Sequence, residues 1–236
     1  SKEELIKELK ETVKRIIKLL EELSKKMEEI IKRIAELLRE LSKKLVDIIK
    51  RIIELLRREG AEEEIVKRLD DVAKKNNEAV REIVEELRRI VKENREAVER
   101  VAKRLRDVLR EVDRVVKELT GEDLKRELDR VLKLLLRILE DAVRELKRSL
   151  DEVRKVLKRV VEMHRTSLKE LEDILRKVDV REEILKEIKR LLDESKERLD
   201  RVLREIEELL RRYEEEVRRV LEEIKKILDE LRERIR

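Results

Sequence analysis

Apolar residues recur along this chain at three- and four-residue intervals, and charged residues occupy the positions between. At about 100° per residue the apolar positions gather into one arc of roughly 140–160°, which is the pattern of an amphipathic helix burying one face. Leu, Ile and Val fill the arcs, with Ala scattered through the second quarter of the chain. The pattern predicts core, and three interruptions divide it.

Leu55-Leu56-Arg57-Arg58-Glu59 runs into Gly60, and Glu62, Glu63 and Glu64 follow. A glycine able to take positive φ ends a helix there, and acids begin the next one at the positive end of its dipole. Thr120-Gly121-Glu122-Asp123 repeats the arrangement. The third interruption, Val178-Asp179-Val180-Arg181-Glu182, has no glycine, but Asp179 and Glu182 stand at capping-box spacing. Before Asp179 the stripe centres on Leu128, Leu146 and His164; after it, on Val202, Ile206 and Tyr213, rotated by roughly 120°. One unbroken helix could not bury both stripes against one partner.

Four helices follow, near 2–59, 62–119, 122–178 and 180–236. At about 1.5 Å per residue they are rods of roughly 85–90 Å. Short connections place each helix antiparallel beside the one before. The expected fold is all-α: a single-chain up-down-up-down four-helix bundle occupying residues 1–236 as one domain.

An eighteen-residue period runs inside the helices. Leu19-Leu20-Glu21-Glu22-Leu23-Ser24-Lys25-Lys26-Met27 returns as Leu37-Leu38-Arg39-Glu40-Leu41-Ser42-Lys43-Lys44-Leu45, and Asn76 and Glu78-Ala79-Val80 return as Asn94 and Glu96-Ala97-Val98. Eighteen residues make five turns of an α-helix, so the stripe keeps phase without the supercoil that a heptad imposes. The helices should be nearly straight.

Small polar residues interrupt the apolar columns at this period. The columns read Ile6, Ser24, Ser42; Asn76, Asn94, Val112; Val131, Ser149, Ser167; and Ser195, Tyr213, Leu231. The asparagines, Ser195 and Tyr213 fall near the centres of their arcs, whereas the serines of the first and third helices lie about 50–60° off centre. Antiparallel pairing joins residues whose numbers have a constant sum. It predicts one polar level of Ser24, Asn94, Ser149 and Tyr213, and a second of Ser42, Asn76, Ser167 and Ser195, with His164 beside the second. These nine form the candidate buried polar network, in which an unpaired amide or hydroxyl is penalised and only the correct register pairs them all.

Composition removes most other functions. The 236 residues include no Pro, Cys, Phe or Trp, two Gly and one His. No disulfide, thiolate metal site, catalytic or cofactor-binding constellation can be assembled, so the expectation is no enzyme, no metal and no cofactor. Lys and Arg number 66 against 61 Asp and Glu, interleaved along the whole chain rather than gathered in a stripe for nucleic acid. No apolar run is long enough for a bilayer and no secretory leader opens the sequence, so a soluble protein made in the cytosol of an expression host is expected, with no natural compartment.

In period and rhythm, Glu40-Leu41-Ser42-Lys43-Lys44-Leu45-Val46-Asp47-Ile48-Ile49-Lys50-Arg51 is similar to repeats of designed cage-and-latch switches. The whole chain resembles de novo designed straight antiparallel four-helix bundles with buried hydrogen-bond networks, a lineage of parametric helical bundles that also gave those switches and designed heterodimers. The resemblance implies a structural scaffold that requires no partner and is monomeric. The alternative is a designed interaction module, either an assembly building block forming homo- or hetero-oligomers or a helix-exposing switch. Val46 and Leu136, which fall beyond their main arcs, hint at that alternative.

Overall fold

Nothing in the sequence competes with helix over long stretches, because proline is absent and both glycines sit at chain breaks. The computed structural model, which describes all 236 residues, accordingly contains four long α-helices and no strand: α1 (Lys2–Arg58), α2 (Glu63–Val116), α3 (Gly121–Arg176) and α4 (Glu182–Ile235). They form a single-chain four-helix bundle. Each helix opens with two acidic residues in its first turn and closes with at least one arginine in its last, complementing the helix dipole at both ends.

The breaks are built differently from one another. At the end of α1, Gly60 takes φ 75°. The Gly60 N–H donates to the Arg57 carbonyl and the Ala61 N–H to the Leu56 carbonyl, the paired bonds of a Schellman cap. Ala61 packs on the aliphatic cluster that contains Leu56, completing that cap with its hydrophobic contact.

The second break departs from the expected boundaries. α2 stops at Val116, so residues 117–120 form the connection, and Gly121 (φ 56°) is the first residue of α3 rather than the stop of α2. Lys2 reaches this connection from α1, its ammonium donating to the carbonyls of Lys117 and Leu119.

The third break lies where Asp179 predicts it, but Asp179 does not cap. α4 begins at Glu182, and Arg181 supplies the carbonyl that accepts from Ile184 and Leu185. Asp179 is two residues too early for the N-cap position and stays exposed. What anchors this connection is Arg181, whose Nε donates to Glu59 Oε1 at 2.7 Å. That hydrogen bond holds the Glu59 carboxyl below the usual carboxylate range.

The chain divides into two compact units. Unit 1 comprises Ser1–Glu29, Ile90–Asp151 and Leu210–Arg236; unit 2 comprises Ile30–Arg89 and Glu152–Leu209. In unit 1, ion pairs join each helix to its sequence neighbours and α1 to α4: Lys10–Asp113, Arg104–Asp141, Arg232–Asp129 and Lys26–Glu216. The helices therefore follow chain order around a square. In unit 2, α1 meets α4 through Arg33–Glu205, α2 meets α3 through Glu86–Arg159, and α3 meets α4 through Glu172–Lys196. These exposed pairs each stabilise by little, because water screens them, and record the pairing more than they cause it.

Burial of aliphatic side chains causes it. Leu45, Ile49, Ile52 and Leu56 of α1, Leu69 of α2, Leu171 of α3 and Ile188 of α4 are all at most 2% exposed in the cluster filling one end of unit 2. In unit 1, Val13, Ile16, Leu20, Leu105, Leu135 and Ile224 are equally withdrawn from water. Burying each such side chain is worth about 1.5–3 kcal/mol.

The cap at Gly60 can be tested on its own. An added Cβ would meet no atom within 4 Å, so only backbone strain opposes it. Gly60→Ala should lower stability by about 1 kcal/mol in guanidinium unfolding, with helix content unchanged. Gly60→Asn should lose less, because asparagine tolerates positive φ.

Candidate functional site

The aliphatic core is interrupted by very few polar side chains, and those are deeply buried: Asn76, His164 and Ser195 are each 1% exposed and Asn94 2%. Ser42, Ser149 and Ser167 are buried as well. They fall into two groups, one in each unit.

In unit 2, Ser42 Oγ of α1 donates to Asn76 Oδ1 of α2 at 2.7 Å, and Asn76 Nδ2 donates to Ser167 Oγ of α3 at 3.5 Å. Three helices are thus linked through one central amide. The centre of the α2 arc is where an amide can reach both neighbours, and α2 places Asn76 there.

Ser42 also lies 3.0 Å from Asn77 Oδ1. A serine has one proton to give, and turning the exposed Asn77 amide over makes both contacts productive: Ser42 donates to Asn76 and accepts from Asn77. The sequence reading sets Asn77 aside as peripheral, and the contact with Ser42 corrects it. Asn77 lies on the exposed side of α2, where arc position alone marks a residue as solvent-facing. Its adjacency to Asn76 and the length of its side chain were the available signals.

His164 and Ser195 form a separate pair, with Nε2 to Oγ at 3.2 Å. No hydrogen bond joins this pair to the Ser42–Asn76–Ser167 chain, so Ser167 and Ser195, predicted to meet, belong to different sets. Burial pushes the His164 pKa down from 6.5 to about 4. The ring is therefore neutral at pH 7, with one nitrogen donating and one accepting. It has no carboxylate to orient it, and its one hydroxyl partner, Ser195, is itself sealed from solvent. No group of three or more His, Cys, Asp or Glu residues is placed to hold a metal ion.

In unit 1 the predicted level of four is only partly joined. Asn94 Nδ2 donates to Ser149 Oγ at 3.1 Å, and the Ser149 hydroxyl donates to the Glu145 carbonyl one turn back in its own helix. Tyr213 is 1% exposed, yet its hydroxyl has no partner, and neither does Asn94 Oδ1. Burial alone raises the Tyr213 pKa, keeping the phenol neutral.

Ser24 corrects the prediction outright: it is half-buried and bonds to none of the other three. Ser42 has the same column position but finds Asn76 and Asn77 side by side across from it.

No protein-family model matches this chain, and neither a curated protein nor a solved structure does. No helix is long and apolar enough to cross a membrane.

Two measurements check these geometries. Removing the Tyr213 hydroxyl removes a buried group whose hydrogen bonds to water are lost on folding, so Tyr213→Phe should raise stability by about 1 kcal/mol, read by guanidinium unfolding. For His164, the unfolded chain takes up a proton below about pH 6.5 that the folded chain refuses until about pH 4. Stability is therefore fully present above pH 6.5 and declines as the pH falls toward 4, by about 3 kcal/mol at most. His164→Leu should abolish this component, visible as the difference between the two pH–stability curves.

Proposed function

We propose that this chain is a de novo designed, non-enzymatic scaffold whose polar core residues specify helix register and pairing. One observation carries the reading: the Ser42–Asn76–Ser167 chain, in which three helices contribute buried groups joined by hydrogen bonds inside an otherwise aliphatic interior. A uniform Leu, Ile and Val core is nearly as well buried after one helix slides by a turn. Such a slide parts Asn76 from Ser42 and Ser167, and each buried polar atom left without a partner costs about 1–3 kcal/mol. The polar residues thus separate the intended arrangement from its neighbours without adding much to its stability.

Further support comes from the eighteen-residue period, which suits untwisted helices, and from a composition without Pro, Cys, Phe or Trp. These traits favour the lineage of parametrically generated straight bundles, and a single soluble domain produced in an expression host. No large hydrophobic side chain is exposed, which favours a monomer that requires no nucleic acid, membrane or other partner. The alternative of an interaction module drew on Val46 and Leu136; both are half-buried, and nothing else favours it.

The test replaces the central amide. Asn76→Leu should keep full helical circular dichroism and an equal or higher melting temperature. It should also show doubled amide resonances or mixed masses by light scattering, where the parent chain gives one set of resonances and the mass of one chain. A variant as uniquely folded as the parent, or one that loses its helicity, would sink the register reading.

A further inference from the structure

The amide of Asn94 is satisfied on one side only. Its Nδ2 donates to Ser149, while Oδ1 is buried with no donor in reach. Rotating the amide by half a turn would exchange the orphan acceptor for an orphan donor, so either orientation leaves one amide atom unmatched. Asn94 also lines a small void in unit 1, together with Leu20 of α1, Ala97 and Val101 of α2, and Ala142 and Glu145 of α3. The two alanines explain the space. Methyl side chains stand there where most of the core carries Leu, Ile or Val.

The void holds about 10 Å³, close to the room that one water molecule needs. A wholly aliphatic void of that size would stay dry; this one is lined by Asn94, whose amide oxygen is buried and unmatched. We propose that the void is a binding site for a single internal water. The water donates one hydrogen to Asn94 Oδ1 and takes Glu145, the other polar residue of the lining, as its second partner. The space admits no larger ligand. The water completes the hydrogen bonding of Asn94, which the protein's own side chains leave half-made. The site rests on Asn94 and the two alanines, and so stands apart from the register role proposed for unit 2.

Oxygen-17 magnetic relaxation dispersion counts long-lived internal waters and can be run on the full chain. The parent is compared with Asn94→Leu, which removes the acceptor, and Ala97→Val, which fills the space. Each variant should lose the amplitude of one long-lived water; equal amplitudes in all three proteins overturn the proposal. Should either variant fail to fold, the other decides. A crystal structure of the unsubstituted chain gives a second reading: an ordered density peak within hydrogen-bonding distance of Asn94 Oδ1 is expected. Density showing both amide atoms bonded to protein groups overturns the site.

Discussion

Everything in this protein depends on the burial of one continuous aliphatic stripe per helix. That force is strong and has no direction. It draws Leu45, Ile49, Ile52 and Leu56 out of water, yet it is almost indifferent to whether α1 lies a turn higher or lower against α2. Helix ends and polar interior groups supply what burial lacks. The Gly60 cap and the Arg181–Glu59 bond limit how the short connections can sit, and the central amides limit how the stripes can slide.

The two units solve the interior problem unequally. Unit 2 places an amide between two serines and pairs an imidazole with a hydroxyl, so these central groups have partners, and only Arg198 Nε at its margin is buried without one. Unit 1 leaves the Tyr213 hydroxyl and one amide oxygen of Asn94 without any. Ser42 meets two amides, because Asn77 comes to it beside Asn76. Unit 1 has no equivalent of Asn77 beside Ser24, because Arg95 follows Asn94 where Asn77 follows Asn76.

Much of the architecture was legible in the sequence, because a period of 3.6 residues sustained without proline admits little except helix. The break at Gly60 was legible from glycine, the preceding arginines and the following glutamates. The break near Asp179 was legible from the rotation of the stripe, but not its cap, because backbone geometry put Arg181 rather than Asp179 at the first turn. Polar membership was legible to within a helix face and no further. Periodicity gives an angle around each axis but not the distance a side chain can span. For that reason the sequence over-assigns Ser24, marks Asn77 as peripheral, and does not separate the His164–Ser195 pair from its neighbours.

Tyr213 is the only aromatic residue other than the histidine, and it lies sealed inside unit 1. Intrinsic ultraviolet fluorescence from this protein therefore originates at one phenol ring in one half of the chain. An optical unfolding trace recorded at that wavelength follows the surroundings of a single side chain and is blind to unit 2, whereas far-ultraviolet dichroism averages over all four helices. Agreement or disagreement between those two signals is thus a built-in gauge of whether the halves come apart together.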